Sequence, residues 1–155
     1  MRMLRIAALM VLGVVPGYWL VTHARPASES PELDHATVLV RDLKTSAGFY
    51  EKVMELKQIP EPFKDGKHVW FRAGGHEQLH VVSGATEPSA QNIEVHMAFR
   101  VTSLPEFLKH LDQEKVKYRS FKGDSSTPTS RPDGVKQVYL QDPDGYWIEV
   151  NDDKF

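Results

Sequence analysis

Residues 135–151 read VKQVYLQDPDGYWIEVN, two runs of alternating character on either side of Asp142-Pro143-Asp144-Gly145. Asp suits the first position of a type I turn, the fixed φ of Pro the second and Gly the fourth, so the tetrapeptide predicts a tight β-hairpin. In its second strand Tyr146, Ile148 and Val150 point one way, and Trp147, Glu149 and Asn151 the other. Glu149 therefore sits mid-strand among bulky apolar neighbours, a costly place for a carboxylate that nothing pairs. The plain alternative is a glutamate on the wet face of a half-buried sheet. The rest of the chain bears on that choice.

The chain has 155 residues, enough for one domain with a real core. Its 19 basic and 21 acidic side chains give a net charge of −2, with no basic patch to suggest nucleic acid and no run of like charge to suggest an interaction tail. It has no cysteine, which excludes thiolate chemistry and zinc–cysteine sites. Arg2 and Arg5 precede an apolar run over residues 6–15, followed by Pro16-Gly17 and more apolar residues at 18–21. This predicts an export address over residues 1–27. It is either a signal peptide cut near Ala24 or Ala27, or an uncleaved membrane anchor through residues 6–21. Either way the protein is expected to be exported, to the periplasm or another extracytoplasmic space. Residues 28–32 continue a stretch rich in Pro, Ser and Glu and read as a linker, so the folded domain is expected over 33–155.

Residues 33–40 (LDHATVLV) predict a strand, and Asp42 a cap for a helix with Leu43, Ala47, Tyr50, Val53 and Met54 at helical spacing. Short strands follow at 56–59, 68–72 and 78–82, the first ended by Pro60 and Pro62 and the last two separated by Gly74-Gly75. The pattern then restarts. Residues 93–101 (IEVHMAFRV) predict a strand, and Ser103 with Glu106 forms a capping box for a helix burying Leu104, Phe107, Leu108 and Leu111. A strand at 116–121, a polar loop at 123–134 and the hairpin complete the chain.

The two halves align. His35, Val40 and Leu43 recur as His96, Val101 and Leu104, each 61 residues on (96 − 35 = 61), and Leu79-His80-Val81 matches Ile148-Glu149-Val150. Two βαβββ units in one chain make an internal repeat whose sheets need each other for burial. The expected fold is α+β: two βαβββ modules forming a cup-shaped, mostly antiparallel sheet around a central site. His35 and His96 then lie on the first strands, His80 and Glu149 on the last. All four are metal-ligand types in apolar strand sequence, and imidazole with carboxylate suits a divalent ion such as Zn, Ni, Fe, Co or Mn. A lone buried histidine is more often a hydrogen-bonded core residue, but four ligand types at repeat-related positions favour a metal site. His23 and His110 read as inert, and His68 and His76 as rim positions. Glu94 reads either as a group orienting His96 or as a surface residue. Trp70, Phe71, Tyr139 and Trp147 read as core or as substrate-packing residues.

LDHATVLVRDLKTSAGFYEKVM, HMAFRVTSLPEFLKHL and VYLQDPDGYWIEVND resemble the vicinal oxygen chelate superfamily, the glyoxalase and bleomycin-resistance fold, over residues 33–152. The resemblance implies paired βαβββ modules around a metal, with ligand positions at His35, His80, His96 and Glu149. It also implies a small-molecule substrate that chelates the ion through vicinal oxygens. His80 departs from glyoxalase I, which has a glutamate there.

Three functions are in view, with fosfomycin-type thiol transfer also open. The first is a glyoxalase-like, divalent-metal-dependent lyase or isomerase with Glu149 as the proton-moving carboxylate. The second is an extradiol-type Fe(II) dioxygenase with His35, His96 and Glu149 as ligands and His80 as acid/base. The third is a metal-free small-molecule binding or resistance protein. The modules can pair within one chain or across a homodimer, and sequence does not decide between the two.

Overall fold

The computed structural model describes residues 31–154. The export segment and His23 lie outside them. Two modules share one plan. Strand β1 (His35–Val40) is followed by helix α1 (Leu43–Lys52) and strands β2 (Lys57–Ile59), β3 (His68–Arg72) and β4 (Gln78–Ser83). Strand β5 (His96–Arg100) is followed by α2 (Leu104–Gln113), β6 (Thr129–Ser130), β7 (Lys136–Gln141) and β8 (Trp147–Asn151). They form two four-stranded sheets, ordered β1-β4-β3-β2 and β5-β8-β7-β6. In each sheet the first strand runs parallel to the last and the other pairings are antiparallel. The repeat holds at two offsets: 61 residues for β1 and α1, and 69 for β3 onto β7 (137 − 68 = 69), the difference lying in the longer connection after α2.

Each helix starts where its cap predicts. The Asp42 carboxylate accepts from Thr45 N at 2.7 Å and Ser103 Oγ from Glu106 N at 3.4 Å, each meeting an amide that the first turn leaves unpaired. The inner faces of both sheets and both helices share one core that includes Val38, Val40, Tyr50, Phe71, Val81, Leu111, Leu140 and Ile148. The outward faces carry the polar alternates: His35 and His80 on one sheet, Tyr139 and Glu149 on the other. Alternation allows no other split once Val38, Val81, Leu140 and Ile148 are committed to the core.

The hairpin is more than a tight turn. Gly145 N donates to Asp142 O at 3.0 Å, Gly145 has φ of 87°, and Asp142 N donates to Tyr146 O at 3.0 Å. This is a type I turn followed by a glycine bulge. The extra residue shifts the register by one, so that Val138 opposes Val150, Leu140 opposes Ile148 and Tyr139 opposes Glu149. A one-residue slip would turn the apolar set of one strand onto the wrong face. A side chain at 145 would also place its Cβ 2.6 Å from the Ser89 carbonyl oxygen. Gly145→Ala is therefore expected to lower stability by about 2 kcal/mol through left-handed strain and this clash, read from the urea midpoint.

Both turn aspartates are buried and clasp the other module. The Asp144 carboxylate accepts from Arg41 N and Nε at 2.9 Å each and from Ser46 Oγ at 2.6 Å; the Asp142 carboxylate accepts from Tyr50 Oη at 2.8 Å. Burial raises the pKa of Asp142. Burial pushes Asp144 the same way, but the bonds from Ser46 and Arg41 outweigh it and hold its carboxyl below the usual range. Burial and the neighbouring Asp142 charge push the Tyr50 hydroxyl upward, so it stays a donor.

Two expectations fail in detail. Residues 116–121 do not form a strand. Only Arg119 bridges to Tyr139, and Ser120 then turns the chain away through Gly123 N, Asp124 and Ser125 O; the edge strand β6 lies instead in the stretch read as loop. His110 is not inert. Its Nε2 donates to the carbonyls of Lys52 and Val53 at 3.0 and 3.2 Å, covering the open C-terminus of α1.

Candidate functional site

On the second sheet, Glu149 is buried at the centre of a polar row. Tyr139 Oη donates to its Oε2 at 2.5 Å and Asn151 Nδ2 to its Oε1 at 2.7 Å, while Gln137 Nε2 donates to Tyr139 Oη at 2.7 Å. This is the pairing that a mid-strand carboxylate requires. The row follows from alternation: Asn151 lies two residues from Glu149 on one face, and the bulge sets Tyr139 opposite it. Burial first, then the bond to Glu149, raise the Tyr139 pKa, so the phenol remains a proton donor.

His96 Nδ1 lies 2.7 Å from the Ile93 carbonyl, which can only accept, so this nitrogen carries the proton. In the neutral ring Nε2 is then a lone pair, 3.4 Å from Glu149 Oε2. A carbonyl-bound Nδ1–H is the support that a metal-binding imidazole usually has. Glu94 makes no bond to His96; its amide is held by Asn92, and Ile93 does the orienting.

On the first sheet, His35 Nδ1 lies 2.6 Å from Asp34 Oδ2, so in the neutral ring Nε2 is the lone pair. His80 Nε2 lies 3.1 Å from Gln78 Oε1. The His80 ring is sandwiched, parallel to Trp70 at 3.8 Å and 4° and to His35 at 4.2 Å and 15°. Burial and the nearby His35 lower its pKa, which favours the neutral ring. Ring lone pairs lie in the ring plane, so two stacked imidazoles do not aim at one ion. The four residues expected to converge thus fall into two pairs, His35/His80 and His96/Glu149. Among the described residues no three acidic or histidine side chains are grouped closely enough to hold a metal. His68 bonds to Asp65 and packs on the exposed Phe63 at the rim; His76 is exposed.

Residues 32–150 match the model of the Glyoxalase/Bleomycin resistance protein/Dioxygenase superfamily. The chain belongs to this superfamily. YwbC of Bacillus subtilis (strain 168) is 25% identical over 124 residues, 76% of this chain and 94% of YwbC. A glyoxalase/dioxygenase from Nostoc punctiforme superposes with a TM-score of 0.65 at 21% identity, covering 80% of this chain and 92% of that one. Lactoylglutathione lyase from Agrobacterium tumefaciens gives 0.59 at 18% identity, covering 83% and 96%. As a glyoxalase-superfamily chain, it carries the expected α+β fold of two modules.

The sequence reading left Tyr139 as a core or substrate-packing aromatic, set Asn151 on the face of Glu149 without giving it a role, and passed over Gln137. The signal was available in the hairpin register: once Val138 and Leu140 must face Val150 and Ile148, Tyr139 has to face Glu149.

Proposed function

We propose that this glyoxalase-superfamily protein is a divalent-metal-dependent enzyme of the lyase or isomerase type, acting on a small substrate with two vicinal oxygens. The observation that carries the reading is the His96–Glu149 pair. With the His96 ring neutral it presents two lone-pair groups 3.4 Å apart, each fixed by a hydrogen bond to a group other than its partner. Such a pair suits a cation. His35, oriented by Asp34, fits as a third ligand. The donor set of two imidazoles and one carboxylate is compatible with Zn, Ni, Fe, Co or Mn.

No third ligand joins the pair among the described residues of one chain, so the reading assigns His35 to a second copy facing it, in a homodimer with two equivalent sites. When bound, the ion would polarise the substrate oxygens and stabilise negative charge on them. The chain's residues do the rest. Tyr139 and Asn151 hold the Glu149 carboxylate in place as a ligand, so the proton-moving role expected of it passes to the stacked ring of His80, whose Nδ1 has no partner among the described residues. The same two-histidine, one-carboxylate set of His35, His96 and Glu149 also supports an Fe(II) dioxygenase with His80 as acid/base. Oxygen consumption by the iron-loaded protein separates the two readings. The expected location is outside the cytoplasm; the N-terminal mass of the mature protein tests it, and an intact cytoplasmic chain would refute it.

The central test is metal titration of wild type, His35→Ala, His96→Ala and Tyr139→Phe, together with a mixture of the His35→Ala and His96→Ala proteins. Each alanine variant alone is expected to lose tight binding, and the mixture to regain about a quarter of the wild-type sites through mixed dimers. Tyr139→Phe is expected to bind metal about tenfold more weakly, because the carboxylate loses the donor that fixes it. Equal binding by all these proteins would end the reading.

A further inference from the structure

Arg119 is held on the same outward face as Glu149, in the same cross-strand row. It bridges Tyr139, which opposes Glu149, and two strand spacings put its Cα about 10 Å from that of Glu149. The guanidinium is fixed rather than loose. Its Cζ lies 4.9 Å from the centre of the Trp147 ring, and a Cβ at Gly123 would stand 2.8 Å from Cζ, so Gly123 is the residue that lets the loop close over it. Yet it is poorly satisfied. Its polar contact is one long bond from Nη2 to the Phe121 carbonyl at 3.4 Å, and its buried Nε has no partner. Arg41 and Arg131 each have an aspartate partner; among the described residues Arg119 has none. It borders a cleft of about 420 Å³ whose lining also includes Lys117, Tyr139, Gln141 and Trp147, with no acidic residue.

A cation fixed by an aromatic ring, with its Nε out of water and no anion beside it, is built for a ligand. We propose that Arg119 is an oxyanion subsite, taking the carboxylate or phosphoryl end of a small substrate. Its placement beyond the reacting end rests on the metal-centre reading above; anion binding itself does not. The substrate class follows: a small anionic molecule whose charged group lies a few bonds from its vicinal oxygens.

The test uses the full chain freed of metal with a chelator. Inorganic phosphate in one arm and acetate in the other are titrated while the Arg119 Nε–H resonance is followed by NMR. Saturable millimolar binding is expected in wild type. Arg119→Lys, which keeps the charge but loses the fork, is expected to weaken it about tenfold, the worth of one hydrogen bond to a charged group. In Arg119→Gln, followed through the Trp147 indole signal, binding is expected to be lost. Tighter phosphate binding supports a tetrahedral oxyanion and tighter acetate binding a planar one. No saturation in wild type, or equal affinity in Arg119→Gln, overturns the proposal. Metal titration of the same variants keeps the two readings apart. Unchanged metal affinity with anion binding lost leaves both standing, and anion binding without metal binding removes only the metal centre.

Discussion

Replacing Glu149 with glutamine is expected to weaken divalent-metal binding by about 100-fold or more while moving stability by no more than about 1 kcal/mol. The metal loss follows from removing the anionic ligand of the pair. The retained fold follows from the network around it. Asn151 Nδ2 can still donate to the amide oxygen at 149. The Tyr139 hydroxyl can reverse and accept from the new amide nitrogen, and a flip of the Gln137 amide, which now presents Nε2 to the hydroxyl, gives that hydroxyl Oε1 as its acceptor. Glu149→Ala has no such escape. It strands both the Tyr139 and Asn151 donors, and a loss of about 2–3 kcal/mol is expected. Calorimetric metal titration beside urea unfolding of both variants checks the pair. A glutamine variant as unstable as the alanine variant would show that the carboxylate serves the fold rather than a metal.

Asp144→Ala is expected to cost about 3 kcal/mol, a large share of the total stability of a domain of this size. It leaves the fully buried Ser46 hydroxyl without its acceptor and releases Arg41 from both of its bonds to the carboxylate. Half of the Arg41 side chain stays in water, which keeps the cost below that of breaking a fully buried pair. The effect depends on pH with a defined sign. Because the folded-state pKa of Asp144 is lowered, its contribution is complete above the unfolded value of about 3.9 and disappears as pH falls through the folded value. The stability gap between wild type and variant should therefore be constant from neutral pH down to about 4 and close below it. Asp142 is shifted the opposite way, but it is present in both proteins and largely cancels in the difference. Urea midpoints measured across that range decide the point; a gap unchanged below pH 4 would mean that the charge contributes nothing.

The sequence made the frame legible because the frame is written in local periodicity. Leu79 and Val81, and Ile148 and Val150, alternate with polar residues, and Asp42 and Ser103 mark the helix starts. It also brought the four candidate ligands into two equivalent pairs of positions, but local pattern cannot say which rings stack. Trp70, ten residues before His80, turns that histidine into the middle of a sandwich. The same limit hid His110, whose partners are 57 and 58 residues away, and the strand expected at 116–121, which lost its ladder to hydrogen bonds made by Ser120. Asp142 and Asp144 looked like ordinary turn formers. Their burial depends on Ser46 and Tyr50, small and aromatic positions of α1 that carry no sign of the contact in their own neighbourhood.

The clasp between the last hairpin and the first helix also sets an order of events. Arg41 and Ser46 precede Asp144 by 103 and 98 residues. At a synthesis rate of about 5–20 residues per second, Arg41 and Ser46 are made roughly 5–20 s before the carboxylate that holds them. Until then the Ser46 hydroxyl and the Arg41 side chain lack the carboxylate that receives them in the folded protein. The clasp can close only once Asp142-Pro143-Asp144-Gly145 has emerged to fasten the start of the domain to its finish.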